Sequence, residues 1–185
     1  AANAAVVAAH DVKATGVELG VGNQFADWTA EEFASYQKLY SRPAATAAGQ
    51  EHVVKGGEDP AAVDWRTQGV VAPVKNQGSC GSCWTFSTVV SIEGAHARKA
   101  GKLTSLSEQN LVDCVKNDVI DGGDSCCDGC SGGLMDNAFD YMIKKQDGGI
   151  MAEASYGYTG KDGTCGFKAA DVGAKISNWT DVKAG

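Results

Sequence analysis

Residues 77–84 read Gln77-Gly78-Ser79-Cys80-Gly81-Ser82-Cys83-Trp84. Gly78 and Gly81 permit a tight loop. From about Ser82 the pattern turns helical: Phe86, Val89, Val90 and Ile92 supply the apolar part, and Gly101 is a C-terminal stop after Ala100. Cys83 therefore sits where a glycine loop meets a helix start. The first N–H groups of a helix have no partner in their own helix and the dipole is positive there, so a thiolate is favoured. Gln77 lies on the same loop. Its side-chain amide and the backbone N–H of Cys83 can jointly donate to a developing oxyanion. A nucleophile and oxyanion donors on one loop make half of an acyl-transfer site.

Downstream, Ser107 is a good N-cap for a second helix that runs from Glu108 to Cys114. Residues 116–133 are a loop rich in Gly, Asp and Cys. Leu134 to Lys145 reads as a third helix, with Leu134, Ala138, Tyr141 and Met142 on one face. The remainder is turn-rich, at Tyr156-Gly157-Tyr158 and Lys161-Asp162-Gly163, and ends in a strand-like Gly173 to Trp179. Upstream, Val63-Asp64-Trp65 is a short apolar stretch, and Gly69 to Lys75 is extended because Pro73 disfavours a helix. Further upstream, Asp27-Trp28-Thr29-Ala30-Glu31-Glu32-Phe33 looks like a helix start with Asp27 or Thr29 as N-cap. Phe33, Tyr36, Leu39 and Tyr40 continue that helix, and Asn3, Val7 and Asp11 share one face of an earlier one. Ser41 to Pro60 is polar, Ala/Gly-rich and unpatterned. It reads as a linker, the kind of segment that proteases cut.

The 185 residues suggest one domain with an appendage, and 43% hydrophobic residues are enough for a packed core. A net charge of −7 argues against nucleic acid as a partner, because phosphate binding needs a basic surface. No apolar run approaches the roughly 18 residues needed to span a bilayer. Residues 1–10 lack the basic start and cleavage pattern of a signal peptide. Seven cysteines stand at 80, 83, 114, 126, 127, 130 and 165, all in the second part of the chain. That density suggests a disulfide framework formed in an oxidising compartment, and the odd count leaves at least one thiol outside it.

The 77–84 block closely resembles the active-site block of papain-family cysteine proteases of the cathepsin L and plant papain group, whose local signature is C-G-[SA]-C-[WY]. The resemblance extends over nearly the whole chain. Residues 63–87 resemble the family's mature start, and Ser107-Glu108-Gln109-Asn110-Leu111-Val112-Asp113-Cys114 its second-helix motif. Cys130-Ser131-Gly132-Gly133-Leu134-Met135 resembles its Gly-rich substrate loop. Residues 22–33 look like its propeptide motif, and Asn3, Val7 and Asp11 like the tail of its propeptide helix signature. The spacing in Gly20-Val21-Gly22-Asn23 departs from the family motif by an extra glycine.

The resemblance implies an α+β papain-like fold, here a partial propeptide plus the mainly α-helical half-domain, with the β-rich half missing. Residues 1–60 would be the C-terminal part of an inhibitory propeptide plus linker. Residues 61–185 would be the nucleophile-bearing part of the peptidase domain. Cys83 would be the nucleophile and Gln77 the oxyanion donor. Gly81 and Trp84 would border the substrate; Gly132 and Gly133 would hydrogen-bond its backbone, and Leu134 and Met135 would line a side-chain pocket. Cys80–Cys130 and Cys114–Cys165 would be disulfides. Cys126 and Cys127 remain, as a vicinal bridge, as reduced thiols, or as partners of a cysteine elsewhere. The implied partners are protein or peptide substrates, the chain's own propeptide as inhibitor, and cystatin-like inhibitors. No cofactor and no metal are implied, and the compartment is lysosomal, vacuolar or extracellular.

A base histidine and its orienting asparagine lie roughly 130–150 residues after the cysteine in this family, beyond Gly185. The chain is thus expected to be cut at both ends. His10 and His52 fall in the propeptide-like segment, and His96 lies about 20 Å along the same helix as Cys83. With one wall of such a cleft present, the apolar surface around Trp84 is expected to face water and favour self-association. Two other readings compete. Cys80-Gly81-Ser82-Cys83 is also a C-x-x-C before a helix, the pattern of a redox dithiol, although polar loop precedes it instead of a strand. A non-catalytic protease-like binding or inhibitor module is the alternative that the absent base keeps open. Cys126, Cys127 and Cys130 make a poor zinc set, since adjacent cysteines chelate badly and no fourth ligand is suitably spaced. Asn178-Trp179-Thr180 is a glycosylation sequon that mildly supports a secretory route.

Overall fold

A computed structural model of the protein describes residues 25–37, 50–51, 56–57, 60–116 and 127–182. The chain falls into two compact units, residues 1–37 and 38–185.

In the first unit, α1 spans Ala30–Gln37. Thr29 is its cap, by a reciprocal arrangement: the Glu32 N–H donates to Thr29 Oγ1 at 3.1 Å, and the Thr29 N–H donates to Glu32 Oε2 at 2.7 Å. Two of the helix's orphan donors are satisfied in this way. Phe25, Trp28, Phe33 and Tyr36 gather into an aromatic cluster, with Phe25 about 5.3 Å from both Phe33 and Tyr36. The expected continuation through Leu39 and Tyr40, and the earlier face of Asn3, Val7 and Asp11, lie outside the described residues.

The second unit is built around α2, Cys83–Ala100, with Ser82 as N-cap and Gly101 closing it by an N–H bond to the Ala97 carbonyl at 2.8 Å. Helix α3, Glu108–Cys114, is capped as its sequence suggests: Ser107 Oγ accepts from the Asn110 N–H at 2.9 Å. Helix α4 spans Met135–Lys145. It starts one residue later than expected, because Leu134 is extended and serves as the N-cap. Two short sheets complete the described part. In one, β1 (Gln50–Glu51) runs parallel to β4 (Thr180–Asp181). In the other, β2 (Gly149–Met151) runs antiparallel to β3 (Val172–Lys175), with Ile150 opposite Ala174 and an irregularity before Met151. Strand β2 has no alternating pattern in the sequence because all three of its residues are buried. The strand expected over Gly173 to Trp179 ends at Lys175: the Ile176 N–H turns back to the Gly148 carbonyl, and Asn178 Oδ1 accepts from the Trp179 N–H.

The core packs α2, α3, α4 and the β2–β3 pair around Trp84, Val89, Ile92, Leu111, Ala138, Met142 and Ile150. Trp84 is only 1% exposed, so the expectation of an open apolar wall around it is wrong. Its indole N–H donates to the Gly129 carbonyl at 3.1 Å, and the loop before α4 covers its ring. Exposed apolar side chains of this unit are found instead at Val63, Trp65, Val71, Val74, Val90, Met135 and Val182. Two disulfides staple the unit: Cys80 to Cys130 and Cys114 to Cys165.

Lys75 fastens the extended segment to the helices. Its ammonium reaches Glu108 Oε1 at 2.7 Å and Glu93 Oε1 at 3.2 Å, and both glutamates are 1% exposed. Glu93 Oε1 also accepts from the Leu106 N–H at 2.8 Å. Burial opposes the Lys75 charge, but the hydrogen bond and charge of Glu108, with Glu93 behind it, outweigh that and raise the ammonium above the usual lysine range. Burial pushes the Glu108 carboxyl up, and the Lys75 contact offsets this only in part. The two shifts have different pH windows. A raised lysine stabilises the fold below the lysine's unfolded value, and that stability is lost as pH rises through its folded value. A raised carboxyl favours the fold at low pH and is a growing liability as pH climbs to its folded value. Lys75→Met leaves two buried carboxylates without their cation. It is expected to destabilise the unit by about 3 kcal/mol at neutral pH in urea unfolding, a deficit that shrinks as pH falls and the Glu108 carboxyl, pushed up by burial, takes up its proton. A deficit equal at both pH values would refute this assignment.

Candidate active site

Cys83 is the first residue of α2, half-buried and outside both disulfides. Its N–H and that of Trp84 belong to the first helical turn, where no carbonyl of the same helix is available. The preceding loop is held by several short bonds. The Ser82 N–H donates to the Cys80 carbonyl at 2.8 Å, and the Gly81 N–H to the Cys130 carbonyl at 2.8 Å. Gln77 turns its amide inward, donating one N–H to the Cys80 carbonyl at 2.9 Å. A carboxamide carries two N–H bonds, so the second is available to a ligand. Gln77 and Cys83 border one cavity of about 460 Å³, whose walls include Phe86, Val90 and Val74 and whose polar end is Lys75, Glu93 and Glu108.

Most of the other candidate residues lie on the loop before α4 and at the start of that helix. Gly132 has φ 112°, which a side chain would strain. A Cβ at Gly133 would stand 2.6 Å from the Trp84 ring, so the loop lies against the indole because it has no side chain there. Leu134 is half-buried and Met135 is 38% exposed at the start of α4. Trp84 and Gly81 are both buried. Trp84 thus underlies the loop and presents no surface of its own. Cys127 is buried behind the same loop, where its sulfur accepts from the Leu134 N–H at 3.4 Å. Cys126 lies outside the described residues.

Cys80 is bonded to Cys130, so Cys80 and Cys83 do not form a dithiol pair. His96 is half-buried on α2, more than three turns beyond Cys83. His10 and His52 lie outside the described residues. Among the described residues there is no cluster of three or more His, Cys, Asp or Glu that could hold a metal ion. No described helix is long and apolar enough to cross a membrane.

Two further groups bear on the site and have no signal in the sequence. The Tyr158 hydroxyl lies 2.6 Å from Ser82 Oγ and donates to the Gln77 carbonyl at 2.8 Å. The Lys75–Glu93–Glu108 cluster lines the same cavity. Each joins residues far apart in the chain, and no local pattern announces such a contact.

A family model described as papain family cysteine protease matches residues 59–185. Cysteine proteinase 1 of Dictyostelium discoideum is 48% identical over 169 residues, covering 86% of this chain and 48% of that protein. Pro-cathepsin H of Medicago truncatula is 40% identical over 183 residues, 99% of this chain and 49% of its own length. Among solved structures, digestive procathepsin L2 from Tenebrio molitor larval midgut superposes with a TM-score of 0.74 at 39% identity, over 91% of this chain and 54% of that one. The chain spans about half the length of the curated relatives it matches.

Brief iodoacetamide treatment is expected to label Cys83 first, because it is unbridged, partly exposed and at a helix start. Label found mainly on Cys126 or Cys127 in a peptide map would contradict that. Gly133→Ala forces its methyl into the Trp84 ring and is expected to cost about 1–3 kcal/mol of stability, read as a lowered Tm. An unchanged Tm would mean that the loop is not seated on the indole.

Proposed function

The chain belongs to the papain family of cysteine proteases, and on that premise we propose that it is the nucleophile-bearing part of a cysteine endopeptidase made as a zymogen. The observation that carries the reading is the convergence of Cys83 and Gln77 on one cavity at the N-terminus of α2. In this reading the Cys83 sulfur attacks a peptide carbonyl carbon. The second N–H of the Gln77 amide and the Cys83 backbone N–H receive the oxyanion, the amine leaves, and water later releases the acyl group from sulfur. Gly132 and Gly133 offer the substrate backbone a surface without side chains, and Leu134 and Met135 border the adjoining side-chain pocket. The protein's partners are then peptide substrates and cystatin-like inhibitors.

Residues 1–60 act as propeptide and linker, and residues 61–185 as the first part of the peptidase domain, with activation by cleavage between Gly56 and Ala62. Support comes from two relatives, a pro-cathepsin and a procathepsin, which align with most of this chain. The two disulfides support an oxidising route to a lysosome, a vacuole or the exterior. The general base, a histidine held by an asparagine, comes from the part of the relatives' length that this chain does not cover.

General acid–base assistance is worth about 10²–10⁴-fold, and an amine leaves poorly without a proton. The 185-residue chain is therefore expected to release no fluorophore from dipeptidyl amides, even after propeptide removal and reduction. A peptidyl p-nitrophenyl ester needs no such proton, because nitrophenolate leaves as the anion. With it, the chain is expected to gain one acyl group on Cys83 by mass spectrometry, and Cys83→Ala none. Acylation absent from Cys83 would overturn the nucleophile assignment. Amide turnover that vanishes in Cys83→Ala would place a base within the chain itself.

A further inference from the structure

The segment around Tyr158 is separated from the 77–84 loop by more than seventy residues, yet its hydroxyl lies at the centre of that loop's bonding. Tyr158 Oη donates its single proton to the Gln77 carbonyl at 2.8 Å. Its 2.6 Å contact with Ser82 Oγ must then be a bond that the serine donates and the tyrosine accepts. One oxygen thereby joins the backbone of the candidate oxyanion residue to the residue immediately before the candidate nucleophile. Ser82, the N-cap of α2, makes no side-chain bond to its own helix; its hydroxyl also lies 3.5 Å from the Cys80 carbonyl, a much longer contact than the 2.6 Å link to Tyr158 that takes its proton.

The tyrosine is itself fixed. Its N–H donates to Glu153 Oε1 at 3.0 Å, and its ring stands edge-on to Phe86 at 5.0 Å, one turn along α2 from Ser82. It packs against the Cys80, Val112 and Cys130 cluster, which contains the disulfide that anchors the other side of the loop. The hydroxyl is therefore placed in part from outside the loop, by Glu153 and Phe86, and in part by packing on the loop's own Cys80. Between Gln77 and Ser82 the chain passes Gly78 at φ 63°, a position with little conformational preference of its own.

We propose that Tyr158 is a positioning residue for acyl transfer, which sets the separation of Gln77 from Cys83 so that both groups address one carbonyl. The inference rests on the roles proposed for Cys83 and Gln77. Tyr158 itself touches neither the substrate nor the reacting atoms.

The test compares two reactions of the same sulfur in the full 185-residue chain. With a peptidyl p-nitrophenyl ester, the Cys83 sulfur bonds to the carbonyl carbon, the carbon–oxygen bond breaks, and nitrophenolate departs with the electron pair through a tetrahedral oxyanion. With iodoacetamide, the same sulfur displaces iodide and no oxyanion forms. Tyr158→Phe keeps the ring and its contact with Phe86 but removes the hydroxyl. It is expected to slow ester acylation about tenfold, as a small misplacement of a donor does. Alkylation should stay within about twofold, because it never uses that donor. Ser82→Ala approaches the same link from its other end and should lower the same ratio, and the double variant should be no worse than the more affected single one.

A merely structural role would change both reactions together, since a loosened fold alters the exposure of the sulfur to either reagent. Equal changes in the two rates, or an unchanged ester rate in Tyr158→Phe, would overturn the inference. Gln77→Ala separates the two levels. If it lowers the ester rate selectively while Tyr158→Phe does not, the reading of the site stands and the role of Tyr158 falls. If Gln77→Ala leaves the ester rate unchanged, the oxyanion assignment itself falls, and the positioning role with it.

Discussion

The structure depends on where the Trp84 indole is placed. It is the second residue of α2, so its direction is set by the start of that helix. The ring is withdrawn from water into the main core, and its N–H is satisfied by the Gly129 carbonyl. A buried indole without that partner would lose the hydration of its donor and gain nothing in exchange. The bond therefore draws the Gly129–Gly133 segment onto the helix start, and the Cys80–Cys130 disulfide ties the same two segments a second time. Fixing one aromatic ring thus aligns the Cys83 loop with the glycine loop, although the two lie about fifty residues apart in sequence.

Much of this is legible in the amino-acid order. Ser107 before Glu108 marks a cap, and the Asn110 N–H bonds to it. Gly101 marks the end of α2, and the helix stops there. These signals are local: a side chain acts on backbone within one turn of itself. The 77–84 block is legible for the same reason, since a glycine loop, a helix start and a thiol are consecutive in the chain. The early end of β3 is local only at Asn178, whose side chain holds the Trp179 N–H; its other cause is a bond from Ile176 to the distant Gly148 carbonyl, which a strand-like composition cannot register.

The part that the sequence does not disclose is long-range. Trp84 is expected to face water from its place on one wall of a cleft, but its cover comes from Gly133, and no property of residue 84 foretells a glycine at that distance. Lys75 looks like an ordinary surface lysine, yet it neutralises two glutamates that are buried on separate helices. Nothing adjacent to Glu93 or Glu108 in the chain signals that either is buried. Their burial is tolerable only because a cation and a backbone N–H reach them from elsewhere. Tyr158 belongs with these, since its turn-rich surroundings suggest a surface segment.

The depth of the Cys80–Cys130 bond has a consequence for handling the protein. Thiol–disulfide exchange requires a thiolate to approach a sulfur in line, and access limits its rate. Cys80 is 1% exposed and Cys130 8%, whereas Cys83 is only half-buried. An air-oxidised Cys83, capped by a small thiol, therefore meets reductant well before the internal bond does. Low reductant and short times should regenerate the Cys83 thiol selectively. Long incubation at high reductant releases the loop that carries it, so a preparation that has lost its reactivity to over-reduction is distinguished from an oxidised one by the order in which the three sulfurs become titratable.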